Sequence, residues 1–135
     1  MKRVAAGIIV CDNKILVAQR KRGKDLAYFW EFPGGKIEEG ETAPECLHRE
    51  IMEEFNMEIR VGKFFMESEY DYSFGSFKLE VYFATCASQI VPDLFEHEQA
   101  RWVDVQDLKD FTFSPADIPV AEALLKLNDL STMLR

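Results

Sequence analysis

The chain has 135 residues and a net charge of −8; 47% of its residues are hydrophobic and 13% are aromatic. These values predict one folded domain over residues 1–135 and exclude a disordered chain. The acidic balance argues against binding to nucleic acid or to an anionic membrane surface, because both need basic patches. An anionic ligand would therefore need a bound cation to mediate its contact with the protein.

Nothing in the sequence approaches the ~18 consecutive apolar residues of a membrane span. The apolar run that begins at Val4 stops at Asp12 without a signal-peptide cleavage site. The three cysteines, Cys11, Cys46 and Cys86, show no CxxC spacing and favour small buried thiols in a reducing compartment. We expect a cytoplasmic protein, either a monomer or a homodimer.

The N-terminal part predicts strands and turns. Residues 4–11 and 14–19 are β-rich runs separated by an Asp-Asn dipeptide, which indicates a hairpin. Residues 20–27 form a polar, basic loop. Residues 28–32 predict a short aromatic strand that ends in a Pro-Gly-Gly turn.

A helix follows. Thr42 suits its N-cap and Glu45 stands three residues later, which is the pattern of a capping box. Leu47, Ile51 and Phe55 recur every four residues and give the helix one apolar stripe up to about Phe55.

The C-terminal half predicts three or four strands between residues 60 and 103, with visible alternation in residues 77–83. Residues 116–130 predict a second helix. Its buried side would be supplied by Leu124, Leu125 and Leu127. This order of elements predicts an α+β fold, an α/β/α sandwich with a mixed β-sheet between the first helix and the C-terminal helix.

Three glutamates on the first helix carry the strongest chemical signal. Glu50, Glu53 and Glu54 stand at i, i+3 and i+4, within an arc of about 100° on one face. Like charges at this spacing weaken a helix unless a cation lies among them. Mg²⁺ and Mn²⁺ prefer such oxygen ligands. Glu41 can be brought to the same place by the turn at Gly40.

The loop before the helix adds further candidates. Gly34 and Gly35 allow close backbone approach, and their carbonyl groups can act as ligands. Lys36 is placed to meet phosphate oxygens. Arg49 has a glutamate four residues away on either side and can hold such a carboxylate in orientation. The alternative is a solvated acidic helix face behind an ordinary turn, but so many fixed spacings rarely agree by chance.

The stretch from Gly35 to Met57 resembles the Nudix signature, G-x5-E-x7-R-E-U-x-E-E-x-G-U, in which U is aliphatic. It departs at Asn56, where the family has glycine; asparagine tolerates the left-handed conformation that a helix end demands. The Glu-Phe-Pro-Gly-Gly-Lys-Ile-Glu segment at residues 31–38, Arg20 and the Phe-Ser-Pro-Ala-Asp-Ile-Pro segment at residues 113–119 resemble the MutT branch. The similarity covers about residues 3–127.

The resemblance implies a Nudix fold and metal-dependent hydrolysis of nucleoside triphosphates to monophosphate and pyrophosphate. It implies Mg²⁺ or Mn²⁺ as the cofactor. The implied ligands are the carboxylates of Glu50, Glu53 and Glu54 with the Gly34 carbonyl. Glu41 and Arg49 would orient these ligands.

A carboxylate from outside the signature usually completes the site in this branch. Glu96 is the first candidate and Glu98 the second, as metal ligand or general base, and Glu50 could also be the base. The alternative is that Glu96 and Glu98 are exposed loop charges. Arg20 and Lys36 are candidate phosphate contacts, although Arg20 also fits a solvated loop charge.

The base should meet aromatic rings and a few polar groups. Tyr72, Phe74 and Phe77 are candidates for a stacking wall, or else they belong to the sheet core. Asp117 stands where guanine-recognising MutT-like enzymes often have asparagine. An ionised aspartate only accepts hydrogen bonds, which suits the cytosine amino group, and the segment also resembles the members that hydrolyse CTP.

The sequence leaves alternatives open for the role of Asp117 and for the function. A protonated Asp117 could donate to an oxidised purine such as 8-oxo-dGTP, and Asp117 could instead cap the last helix. An ADP-ribose or dinucleoside polyphosphate hydrolase, a diphosphate isomerase and a non-catalytic nucleotide-binding module are the competing functions. His48 and His97 are expected to be exposed or structural.

Overall fold

The computed structural model describes residues 1–89, 91–127 and 129–134, in which seven strands form one mixed sheet. The strands are β1 (Lys2–Cys11), β2 (Lys14–Arg20), β3 (Trp30–Glu31), β4 (Gly34–Lys36), β5 (Arg60–Tyr72), β6 (Gly75–Thr85) and β7 (His97–Val103). The helices are α1 (Ala43–Phe55) and α2 (Ile118–Leu125), with short 3₁₀ helices at Val105–Asp110, Pro115–Asp117 and Leu130–Leu134.

The sheet has the order β3-β2-β1-β6-β5, with β4 also pairing β1 and β7 also pairing β2. β1 and β6 run parallel, and the other strand pairs are antiparallel. Asp12 and Asn13 turn between β1 and β2 with φ of 49° and 67°. Two positive φ angles are what a tight hairpin turn requires, so the predicted hairpin is confirmed.

Side-chain alternation along β1 divides the core into two layers. Ala5 and Ile9 face α1, whereas Ile8 and Val10 face the layer that contains α2. Leu47, Ile51 and Phe55 on α1 are fully buried. Each such side chain contributes about 1.5–3 kcal/mol of hydrophobic stabilisation. The predicted α/β/α sandwich around a mixed sheet is confirmed.

Helix α1 begins and ends as the sequence predicts. The Thr42 hydroxyl accepts from the Glu45 N–H at 3.2 Å, and the Glu45 carboxylate accepts from the Thr42 N–H at 2.9 Å. Asn56 ends the helix with φ 55° and ψ 41°, the left-handed conformation. The helix face that carries the glutamates is therefore fixed at both ends.

The Pro-Gly-Gly turn was a wrong prediction. Gly34–Lys36 form β4 and pair with β1, while the predicted strand at residues 28–32 shortens to Trp30–Glu31. Tyr28 has φ 69°, which takes it out of an extended conformation. Glycine disfavours strands by itself, but the edge of β1 supplies hydrogen bonds that hold it extended.

The second helix is shorter than predicted. It ends at Leu125, and Leu130 belongs to a separate 3₁₀ helix; Asn128, inside the predicted helix, lies outside the described residues. Leu124 is fully buried, but Leu125 is 40% exposed. Adjacent helical residues point about 100° apart, so both leucines cannot face one core. Within the described part of the chain, no helix is long and apolar enough to cross a membrane.

Candidate active site

The Gly-Gly strand brings backbone, helix and carboxylate into direct contact. A Cβ atom at Gly34 would overlap the Ala5 carbonyl group, and one at Gly35 would overlap the Glu50 carboxylate. Only glycine therefore lets β4 pack this closely between β1 and α1. The predicted close approach at this pair is confirmed, and it places Glu50 against the backbone of β4.

Arg49 organises the carboxylates of the signature. Its guanidinium donates to both oxygens of Glu41 at 2.7 and 3.0 Å, to Glu50 at 3.0 Å and to Glu53 at 3.2 Å. The hydrogen bond from Arg49, helped by the Glu38 N–H, lowers the pKa of Glu41 to about 2. Glu45, the other glutamate four residues from Arg49, serves the helix cap instead.

Glu54 has an oxygen that lacks a partner. Its Oε2 atom is buried and has no hydrogen-bond donor within the described residues. Burial, followed by the hydrogen bond and charge of Glu50 and the charges of Glu31 and Glu96, raises the pKa of Glu54 to about 9. A carboxyl group in this place ionises readily only if a cation shares the site.

A cavity of about 250 Å³ lies beside these groups. The predicted site residues that line it are Arg20, Gly34, Lys36, Glu54, Glu96 and Asp117. Lys36 is exposed at the end of β4. Glu98, the alternative to Glu96, is exposed and is not part of this lining as far as the described residues go.

Two predicted metal ligands, Glu53 and Glu96, are paired with cationic side chains. The side chain of Glu53 is 58% exposed and pairs with Arg49, and Glu96 pairs with Lys24 Nζ at 2.8 Å. Within residues 1–89, 91–127 and 129–134, no three acidic, histidine or cysteine side chains are already arranged to hold a metal ion. The ligand set of Glu50, Glu53, Glu54 and Glu96 thus stays a prediction. It requires Glu53 and Glu96 to leave their cationic partners.

Glu31 is a central residue to which the sequence assigned no role. Arg20 Nη1 donates to its Oε1 at 3.0 Å, and His97 Nε2 donates to its Oε2 at 2.8 Å. Burial alone would raise the pKa of Glu31, but the bonds and charges of His97 and Arg20 outweigh it and the pKa is lowered. His97 is buried and stacks on Phe55 at 5.0 Å, which agrees with a structural role.

Arg20 binds this partly buried carboxylate rather than extending into solvent. Besides Glu31, its guanidinium donates to the Asp25 carbonyl oxygen at 2.6 Å. It also lines the cavity beside Glu54, where phosphate contact remains a prediction.

A second cavity, of about 130 Å³, adjoins the first. Tyr72 and Phe74 stack in its wall with ring centroids 4.9 Å apart and planes 8° apart, and Phe77 meets Tyr72 edge-on. Tyr72 also packs against the core, as the alternative interpretation expects, and its role in stacking a base stays a prediction. Ser114 lines the same cavity, and its buried Oγ has no hydrogen-bond partner among the described atoms.

Asp117 lies buried in this second cavity. Its Oδ1 accepts the Phe32 N–H at 3.0 Å. Although Asp117 stands at the N-cap of α2, its side chain makes no capping hydrogen bond, so that alternative is wrong. Burial and the charge of Glu31 raise the pKa of Asp117 well above its ordinary value. The direction of this shift favours the neutral form, which could donate as well as accept a hydrogen bond.

The NUDIX domain model matches residues 1–124 of this chain, which include the whole of β4, α1 and the cavity residues. The protein belongs to the Nudix family. Its sequence relatives and solved structural neighbours make it a MutT-like Nudix hydrolase.

Three similar proteins illustrate this membership. A CTP pyrophosphohydrolase of Escherichia coli (strain K12) is 35% identical over 133 residues, covering 94% of this chain and 93% of that protein. An 8-oxo-dGTP diphosphatase of Buchnera aphidicola subsp. Schizaphis graminum (strain Sg) is 30% identical over 126 residues, covering 92% and 93%. The solution structure of MutT from methicillin-resistant Staphylococcus aureus 252 has a TM-score of 0.72 and 39% identity, covering 92% and 95%.

Nudix hydrolases use divalent metal ions, and the residues present fit such an ion. The Glu54 carboxyl, which has the unpartnered oxygen, interacts with a second carboxylate, Glu50, which packs against the glycine backbone of β4. Paired carboxylate oxygens and backbone carbonyls are the donors that hard divalent cations prefer. Glu50 and Glu53 also pair with Arg49, and Glu96 pairs with Lys24.

Proposed function

We propose that this Nudix hydrolase is a Mg²⁺-dependent nucleoside triphosphate pyrophosphohydrolase with a preference for cytosine nucleotides. One observation carries the proposal: Arg20, Glu31 and Asp117 line both the cavity beside Glu54 and the aromatic cavity. The two cavities are thus contiguous, and one nucleotide can occupy both. The CTP pyrophosphohydrolase relative supports the choice of base.

The triphosphate of the substrate is proposed to bind beside β4 and α1. A Mg²⁺ ion held by Glu50 and Glu54, with Glu53, Glu96 and the Gly34 carbonyl as further ligands, would supply positive charge against the phosphates. Lys36 and Arg20 add cationic groups at the cavity wall, which an acidic chain needs in order to bind a polyphosphate. Arg49, itself fixed by Glu41, orients Glu50 and Glu53.

Glu96 is the proposed general base, with Glu50 as the alternative. Glu96 lines the cavity beside Glu54, where the phosphates are proposed to bind. Water attacks a phosphorus atom of the triphosphate, the anhydride P–O bond breaks, and Glu96 takes the proton that water loses. The products are the nucleoside monophosphate and pyrophosphate.

The proposed binding site for the base combines aromatic rings for stacking with one polar side chain. Tyr72, Phe74 and Phe77 offer aromatic faces to a base. The Asp117 carboxyl can accept a hydrogen bond from cytosine N4, since its contact with Phe32 uses only one lone pair. Asp117→Ala should therefore lower kcat/KM for cytosine nucleotides relative to the other triphosphates, because the acceptor is gone.

The decisive test is a substrate panel with Mg²⁺ that contains CTP, dCTP, dGTP, 8-oxo-dGTP and ADP-ribose, with products separated by chromatography. We expect pyrophosphate and CMP or dCMP, with kcat/KM at least about tenfold above the other substrates. Orthophosphate as the product, or no turnover of any triphosphate, would contradict the proposal. Glu54→Gln should abolish activity, whereas Glu58→Gln, at an exposed position beyond the helix, should not.

A second candidate is hydrolysis of 8-oxo-dGTP. The observation that favours it is the raised pKa of Asp117, because a protonated carboxyl would present the same donor and acceptor as an asparagine. The 8-oxo-dGTP diphosphatase relative supports it as well. A kcat/KM for 8-oxo-dGTP that exceeds that for CTP in the same panel would select this function.

A further inference from the structure

Side chains of strand β5 bind the backbone of Ala116, the residue before Asp117. The Ser68 hydroxyl donates to the Ala116 carbonyl oxygen at 2.7 Å, and the Ala116 N–H donates to the Tyr72 hydroxyl oxygen at 2.9 Å. Ser68 and Tyr72 are four residues apart on one strand, so their side chains extend from the same face. Both backbone polar groups of Ala116 are therefore held by side chains of β5. We call this pair of hydroxyls the β5 clamp.

The segment that the β5 clamp holds has little regular structure of its own. Pro115–Asp117 form a single 3₁₀ turn, and the backbone N–H of Asp117 donates to the Ser114 carbonyl at 2.8 Å. The Asp117 carboxyl is anchored from the other side by the Phe32 N–H. The position of this carboxyl in the aromatic cavity thus depends on contacts from two distant parts of the chain.

We infer that Tyr72 is a positioning residue that sets base selectivity through its hydroxyl group. The hydroxyl binds the backbone N–H of Ala116 and thereby positions the neighbouring Asp117. This inference rests on the proposed role of Asp117 in recognising the base. The ring of Tyr72 forms part of the cavity wall, but stacking alone tolerates every base. Selectivity comes from the placement of hydrogen-bonding groups, and a shift of a few tenths of an ångström weakens such bonds steeply.

Tyr72→Phe isolates the hydroxyl because it keeps the ring that stacks on Phe74. We expect KM for the preferred triphosphate to rise about five- to twentyfold while kcat stays within about twofold. The ratio of kcat/KM between the preferred and the disfavoured triphosphates should fall by the same factor. A loss of thermal stability without any change in this ratio would overturn the inference.

Tyr70→Phe is the matched control. Tyr70 is the neighbouring tyrosine on the same strand face, its ring lies 4.6 Å from that of Tyr72, and it is 43% exposed. Removing its hydroxyl should leave KM, kcat and selectivity unchanged. Equal effects of the two substitutions would contradict a specific role for the Tyr72 hydroxyl.

A double-mutant cycle tests whether Tyr72 acts through Asp117. In an Asp117→Ala background, Tyr72→Phe should add less than about a twofold change, because the group it positions is gone. Equal losses in both backgrounds would overturn the inference. If the Asp117→Ala variant does not fold, Ser68→Ala takes its place in the test. Because Ser68 and Tyr72 form the two halves of the β5 clamp, Ser68→Ala and Tyr72→Phe should cause the same loss of selectivity. Unchanged selectivity in Ser68→Ala would contradict the role of the clamp.

The outcomes separate this inference from the proposed function. If Asp117→Ala leaves base selectivity intact, the assignment of Asp117 to the base is wrong. If Asp117→Ala removes selectivity but Tyr72→Phe does not, the assignment stands and only the positioning role fails.

Discussion

Arg49 and Glu41 form a two-point ion pair in which Nε and Nη2 of the arginine each bind a different carboxylate oxygen, at 2.7 and 3.0 Å. Glu41 precedes helix α1 and Arg49 lies in its middle, so the pair ties the preceding loop to the helix. The remaining nitrogen of Arg49 binds Glu50 and Glu53. Arg49 therefore sets the orientation of Glu50 and Glu53, two of the carboxylates that are proposed to bind metal.

Arg49→Lys should damage the metal site without unfolding the protein. A lysine has one charged nitrogen and cannot reach three carboxylates in fixed directions. We expect kcat/KM to fall about 10- to 100-fold and the Mg²⁺ concentration for half-maximal activity to rise. The measurement is a Mg²⁺ titration of initial rates, with Arg60→Lys at an exposed position of β5 as the control. An unchanged Mg²⁺ requirement would show that Arg49 does not orient the ligands.

Gly35→Ala should lower activity far more than the addition of one methyl group would at most positions. The added methyl group would overlap the Glu50 carboxylate and push it from its place beside β4. Since a misplacement of about 1 Å can cost 100-fold in rate, we expect kcat/KM to fall by about that factor. Gly62→Ala is the matched control, because its Cβ would meet only the Phe83 carbonyl oxygen at 3.5 Å. Comparable rates for the two variants would contradict the close packing at Gly35.

Two buried serines should respond in opposite ways to substitution by alanine. Ser68→Ala leaves the buried Ala116 carbonyl without its donor, which should cost about 1–3 kcal/mol of unfolding free energy. Ser114→Ala removes a hydroxyl that has no partner among the described residues and should be neutral or stabilising. Urea unfolding of both variants measures the difference. A comparable loss in Ser114→Ala would mean that its hydroxyl is satisfied in solution.

The parts of the site that lie on α1 could be predicted because their signals are local. The capping box joins residues three apart, and the glutamate cluster follows from helical spacing alone. Asn56 was predicted to take the left-handed conformation at the helix end because few other residues can, and its φ of 55° agrees.

The parts that depend on long-range pairing could not be predicted. Glu31 and His97 are 66 residues apart, and Phe32 and Asp117 are 85 apart, so no spacing pattern connects them. β4 was mistaken for a turn because its strand character comes from β1 rather than from its own glycines. Burial raises the pKa of Asp117, and the sequence does not show which acid the fold buries deepest.

The stability of the fold should depend on pH through Glu80, far from the proposed metal site. Arg3 binds both oxygens of Glu80, at 2.6 and 2.9 Å, and this contact lowers the pKa of Glu80 although its partial burial opposes the shift. A carboxyl whose folded pKa is lowered stabilises the protein above its unfolded pKa, and this contribution is lost as pH falls through the folded pKa.

Glu80→Gln should therefore lower Tm by about 2–5 °C at pH 7, and the difference from the unaltered protein should vanish at acid pH below the folded pKa of Glu80. Thermal unfolding between pH 3 and 7 in the presence of a chelator gives this comparison without any contribution from bound metal. Asp104→Asn is the control, because Asp104 pairs with Lys14 at 3.0 Å but its side chain is 58% exposed. Solvent screens such a pair, so its loss should shift Tm by no more than about 1 °C at any pH. A Tm difference for Glu80→Gln that persists unchanged at pH 3 would mean that the substitution acts through packing and not through the charge of Glu80.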